Sequence, residues 1–150
     1  MTTIAWDGET LAADRKMGGR YNVQKIFKVP QGYAAGCGDY DYVVEVVEWL
    51  ANGADRDKIH HLPDKNEDME PAAEIILVSP KGKVSWLSWP YLRFVQLSEK
   101  KVAYGSGGDI ALGAMAAGAS ARQAVAIACR FDSDTGQGID AVQVVKSDAK

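Results

Sequence analysis

The chain has 150 residues, 47% of them hydrophobic and 25% charged, with a formal net charge of −3. That length and balance fit one soluble globular domain, residues 1–150, with a core of its own. They exclude a general nucleic-acid binder, which would carry a basic stripe, and no apolar run is long enough to span a membrane.

The first residues lack the basic and apolar regions of a secretory signal, so a cytoplasmic setting is expected. Residues 2–6 and 10–14 read as two short strands joined by Asp7-Gly8, a strong hairpin signal. Residues 15–22 (RKMGGRYN) read as a polar loop. A second pair follows, 23–29 (VQKIFKV) and 33–37 (YAAGC), joined by the turn Pro30-Gln31-Gly32. Asp39 suits the N-cap of a helix over 40–51, and Gly53 suits its stop. In that helix Asp41, Glu45, Glu48 and Asn52 fall on one side, and Val43, Val46, Val47 and Leu50 fall on the other.

Residues 55–71 are charged and contain prolines, which predicts a surface excursion with room for one helical turn. Strands are then expected at 73–79, 83–88, 91–97 and 101–104. The segment GSGGD leads into an Ala/Gly-rich helix over 109–117, ended by Gly118. Ser120 and Gln123 form a capping box for a second helix over 121–131. After the turn DSDTGQG, residues 139–146 alternate as a last strand. Strands grouped with strands and helices with helices argue for an α+β fold rather than a wound parallel sheet. Two such sheets are expected to pack face to face with helices on the outer faces, a four-layer αββα sandwich.

Few residues offer chemistry. Lys25 lies in an otherwise apolar strand pattern, either snorkelling to the strand edge or held inside by a carboxylate. Asp14 closes the second strand; it is either a turn residue or, if the two hairpins lie side by side, the partner of Lys25. GSGGD at 105–109 has helix N-terminal amides, but neither a P-loop nor a Rossmann unit surrounds it, so no nucleotide cofactor is expected. His60 and His61 are neighbours with no further ligands placed to make a metal set, and are expected on the surface with the acidic run NEDME. Cys37 and Cys129 lie in separate apolar stretches, which suits buried thiols rather than a disulfide. Trp6, Trp49, Trp86 and Trp89 are expected mainly in the core, with Trp86 and Trp89 also candidates for a subunit contact. No nucleophile elbow is present, and two histidines leave little basis for a serine triad.

The start of the sequence remains. Termini fray unless tied down, so a strand headed by Thr2 asks for a reason. A threonine at a mature N-terminus carries its own base, the α-amine, with an ordinary pKa of about 7.7–8.0. A nearby lysine cation lowers that value and keeps the amine neutral. Removal of Met1, which a small second residue favours, would expose Thr2.

Taken together, MTTIAWDGETLAADRK resembles the start of proteasome β-type subunits, above all the HslV peptidases. VQKIF is similar to that family's lysine strand, and AAGCGDYDYVVEVVEWL to its Gly-rich turn into the first helix. YGSGGDIALGAMAAGASARQAVAIAC is similar to its helix pair, and DSDTG to its D-x-x-[ST]-G turn. The resemblance runs in order from residue 2 to about 145, departing at 55–71. It implies the αββα fold of N-terminal-nucleophile hydrolases and a threonine-type endopeptidase. Thr2 would be the nucleophile, Lys25 would tune its amine, and Asp14 would hold Lys25. The Gly36 N–H would donate to the oxyanion, and Ser106, Asp132 and Thr135 would form the supporting shell. The resemblance also implies a homo-oligomeric ring, an unfolded polypeptide or peptide substrate, an ATP-dependent unfoldase as a partner, and no cofactor, metal, nucleic acid or membrane. Two other readings of the same fold stay open: a catalytically silent oligomeric scaffold, and an amidase acting on a small-molecule amide.

Overall fold

A computed structural model describes residues 2–59 and 71–146. Met1, His60, His61 and the acidic run at 66–70 lie outside the described residues. The expected opening hairpin forms from β1 (Thr3–Trp6) and β2 (Thr10–Asp14). Its turn is built by Asp7, whose carboxylate accepts from the Glu9 and Thr10 amides at 2.9 and 2.8 Å. The polar stretch after β2 is more ordered than its composition suggests. It folds back on itself as a ribbon of β3 (Lys16–Met17) and β4 (Tyr21–Asn22) around Gly18-Gly19.

The second hairpin is β5 (Ile26–Val29) with β6 (Gly32–Gly38). The strand expected from residue 23 begins only at Ile26. Residues 23–25 leave the ladder because their bonds go elsewhere. The Val23 amide donates to the Arg15 carbonyl at 2.7 Å, and Lys25 donates to Asp14 at 3.0 Å. Helix α1 (Tyr40–Ala51) has the expected bounds, with the Asp39 carboxylate accepting from the Asp41 amide at 3.0 Å. It buries Val43, Val46, Trp49 and Leu50. The described part of the charged excursion contains a 3-10 turn at Arg56–Lys58.

Strands β7 (Ala73–Val78), β8 (Val84–Trp89), β9 (Val95–Leu97) and β10 (Val102–Gly105) follow. The strand expected at 91–97 is cut to its last three residues. The Leu92 amide closes a turn on the Ser88 carbonyl at 2.8 Å, and Leu92 has a φ of +50°, which no strand accommodates. Helices α2 (Gly108–Ala116) and α3 (Ala121–Phe131) come next, the latter with the complete Ser120–Gln123 capping box. Strand β11 (Ile139–Gln143) ends the described fold.

All strand pairs among the described residues are antiparallel. One sheet has the order β10-β1-β2-β11 and the other β5-β6-β7-β8-β9. The mixed α and β composition with antiparallel sheets agrees with the sequence reading. Three apolar clusters hold these parts. Val43, Val46 and Leu50 of α1 meet Ala34, Ile75 and Leu87 of the five-stranded sheet. Ile4, Trp6 and Leu11 meet Ile26, Ile76 and Val78 of that same sheet. Ala5 and Ala12 meet Ala111, Met115, Ala124 and Val125 of α2 and α3. Strand β1 therefore has a strand on each side and apolar packing on both faces, which prevents the fraying expected of a terminus. Trp6, Trp49 and Trp89 are core residues, whereas Trp86 is half-buried with its indole N–H donating to Glu74 at 2.9 Å. Burial of Trp89 against α1 removes it as a free surface for a subunit contact. Cys37 is buried and Cys129 half-buried, both as free thiols.

Candidate active site

Asp14 ends β2, next to the start of β1, because the hairpin pairs Ile4 with Ala13. Its carboxylate is fully buried and receives four donors. Oδ1 accepts from the Thr3 amide and from Lys25 Nζ, each at 3.0 Å. Oδ2 accepts from the Gly136 amide at 3.0 Å and the Lys16 amide at 3.3 Å. Of the two sequence readings of Asp14, the structure has the buried partner. The same holds for Lys25: only 4% of its side chain is exposed, so it does not snorkel to water. Burial pulls the Lys25 pKa below its ordinary value, and the bond to Asp14 works in the opposite direction.

This pair opens onto a cavity of about 360 Å³. Thr2, Val23, Lys25, Gly36, Tyr40 and Val43 contribute to its wall. Gly36 belongs there because α1 packs directly on β6. A Cβ on Gly36 would lie 2.4 Å from Val43 Cγ1, well inside contact distance. The start of α1 is tied to the lysine segment by the Tyr40 hydroxyl, which donates to the Gln24 carbonyl at 3.1 Å. Two larger hollows, of about 410 and 600 Å³, lie elsewhere and are lined by none of the candidate residues. Size alone does not select the site; the chemistry of the wall does.

A second polar group forms around Asp132. Asp132 caps the C-terminus of α3. Its Oδ2 accepts from Ser106 Oγ at 2.6 Å and from Thr135 Oγ1 at 2.5 Å, and its Oδ1 from the Asp134 amide at 3.2 Å. Burial opposes the Asp132 charge, but the bonds from Ser106, Thr135 and Asp134 outweigh it and hold the pKa below the usual carboxylate value. Ser106 stands at the turn from β10 into α2, where Gly105 has a φ of +96°. A Cβ on Gly105 would sit 1.8 Å from the Thr2 carbonyl oxygen. The glycine thus meets two demands, a left-handed backbone and close approach to the strand that Thr2 heads.

Six of the seven expected residues fall into these two groups or the cavity wall through polar contacts or burial, and Gly36 joins them through its backbone position. Sequence reading passed over Thr3, whose amide and hydroxyl both bond into the site. Its polar side chain inside a buried strand was the available signal.

No family model matches the chain, and no curated protein matches it. Solved structures do. Thiobacillus denitrificans BPH is similar over 97% of this chain and 99% of that one, with 21% identity and a TM-score of 0.66. The same protein in complex with epoxomicin matches over the same shares, with 19% identity and a TM-score of 0.64. A eukaryotic HslV from Trypanosoma brucei matches over 95% of this chain and 98% of that one, with 19% identity and a TM-score of 0.58. The chain has the fold of these proteins over nearly its whole length.

Proposed function

We propose that the protein is a threonine-type peptidase, a proteasome β/HslV-like hydrolase whose nucleophile is Thr2 once Thr2 is the first residue of the mature chain. The observation that carries this reading is the buried Asp14–Lys25 pair ending at a cavity that Thr2 and Gly36 also line. A fold shared with a protein solved in complex with epoxomicin supports it.

In this mechanism the free amine of Thr2 takes the proton of its own hydroxyl as Oγ1 attacks the substrate carbonyl carbon. The Lys25 cation beside the amine keeps it neutral and able to accept that proton. The carbonyl electrons move to oxygen, and the Gly36 N–H stabilises that charge, a contribution of roughly 2.7–4 kcal/mol for one donor. The C–N bond then breaks, the departing amine takes the proton, and an ester on Thr2 remains. Water adds to the ester carbonyl, its proton passes through the amine, and the acid leaves as Thr2 regains its hydroxyl. Asp14 keeps Lys25 charged and in place, and Ser106, Asp132 and Thr135 surround the amine.

The three apolar clusters support a four-layer αββα arrangement. Exposed Leu112 on α2 and Phe131 on α3 support burial in a homo-oligomer, proposed to be a ring. Such a ring admits unfolded chains, so an ATP-dependent unfoldase belongs to the same reading. The proposed setting is the cytoplasm, in keeping with two free cysteines. No helix among the described residues is long and apolar enough to cross a membrane.

Intact mass after treatment with a peptide epoxyketone tests the proposal. The expected mass lacks Met1 and carries one inhibitor, and Thr2→Ala abolishes the adduct. Retention of Met1 together with no adduct overturns the peptidase reading.

A further inference from the structure

Thr3 is fully buried and touches both polar groups of the site. Its amide donates to Asp14 Oδ1 at 3.0 Å, the same oxygen that accepts from Lys25. Its hydroxyl lies 2.7 Å from Thr135 Oγ1, which lies 2.5 Å from Asp132 Oδ2. Counting protons fixes the direction of this chain. Thr135 has one hydroxyl proton, and the carboxylate of Asp132 has none to offer. Thr135 therefore donates to Asp132 and accepts from Thr3. Ser106 donates to the same Asp132 oxygen at 2.6 Å. The order is Thr3 to Thr135 to Asp132, with Ser106 converging.

Thr3 thus bonds to both clusters, beside the direct bond from the Gly136 amide to Asp14 Oδ2. Through its amide it is joined to the oxygen that holds Lys25; through its hydroxyl it is joined to the turn after α3. Backbone pairing with Gly105 fixes the height of this residue in the sheet. The side-chain bond to Thr135 adds a constraint on rotation about the strand axis. Thr2 is the next residue along, so that rotation sets where its hydroxyl and amine point.

We propose that Thr3 is the positioning residue of the site: its hydroxyl, bonded to Thr135, locks the first peptide of β1 and so aims Thr2 into the cavity. This rests on the reading of Thr2 as nucleophile. Catalysis of this type is sensitive to such aim, since a misplacement of about 1 Å costs on the order of a hundredfold in rate.

The test compares wild type, Thr3→Val and Thr3→Ser by the rate of epoxyketone adduct formation on Thr2. Valine keeps the shape and removes the hydroxyl; serine keeps the hydroxyl. Thr3→Val is expected to slow the rate at saturating reagent by about 10- to 100-fold, with the half-saturating concentration within about twofold of wild type. Thr3→Ser is expected to recover most of that loss. A wild-type rate in Thr3→Val overturns the proposal, and so does a Thr3→Ser variant as slow as Thr3→Val, which would assign the effect to the methyl group.

The bond itself is read separately from thermal midpoints of Thr3→Val, Thr135→Val and the double variant. A shared bond makes the double variant no less stable than the weaker single. Fully additive losses overturn the bridge. A wild type that forms no adduct, with the bridge intact, overturns the peptidase reading and with it the positioning role, while non-additive midpoints keep the Thr3–Thr135 bond.

Discussion

Lys25 and Asp14 are too buried for either to lose its partner without consequence. Removing one member of such a pair leaves an uncompensated charge, at a cost of about 3–5 kcal/mol. Lys25→Met is therefore expected to lower the thermal midpoint sharply and to abolish the epoxyketone adduct. Calorimetry and intact mass measure the two effects; an adduct formed at the wild-type rate would show that Lys25 does not tune Thr2. Gly105 makes a different demand. Alanine there would need a φ of +96° and would place Cβ on the Thr2 carbonyl. Gly105→Ala is expected to displace Thr2 and stop adduct formation even in protein that still folds, as judged by circular dichroism.

At the scale of elements, α3 is stabilised by an N-terminal capping box whose residues do not line the cavity. Ser120 accepts from the Gln123 amide, and Gln123 accepts in return from the Ser120 amide at 2.9 Å. Ser120→Ala is expected to cost about 1 kcal/mol in denaturant unfolding, with the adduct rate unchanged. Loss of reactivity in that variant would mean that α3 positions the site more tightly than its contacts imply. The turn after α3 behaves otherwise, because Asp132 is both the C-cap of α3 and the acceptor for Ser106 and Thr135. Its pKa is lowered in the fold, so it stabilises the protein above about pH 4, where the unfolded carboxyl is ionised. That contribution is lost as pH falls through the lower folded value. The gap in thermal midpoint between wild type and Asp132→Asn is therefore expected at pH 7 and should narrow below about pH 4. A gap that stays constant as pH falls below about 4 would contradict the bonding around Asp132.

The whole molecule brings together parts far apart in sequence. Strand β1 is flanked by β2 and by β10, and the turn at 132–136 reaches Asp14 through Gly136. If the exposed residues on α2 and α3 are buried between copies, the native mass is a multiple of 16.2 kDa. Native mass spectrometry tests this, and a monomer at working concentration would remove the ring from the proposal.

How far the sequence determined the protein follows from where each constraint lies. Asp39, the valine spacing of α1, the Ser120–Gln123 pair and the Asp7-Gly8 turn are local signals, and the elements they mark form at or near the expected bounds. The strand from residue 23 and the strand over 91–97 came out shorter, because bonds from distant or folded-back residues took over the backbone. Sequence also named the residues of the candidate site, through their resemblance to a family and the special base of a terminal threonine. It left Lys25 and Asp14 each with two readings, since a lysine and an aspartate are committed to each other only when two hairpins from different sheets meet. It also left Thr3 as one more strand residue. Burial and the meeting of three distant segments give that hydroxyl a single acceptor. A one-dimensional pattern carries no such information, because it records which groups are present and not which remain for each to bond.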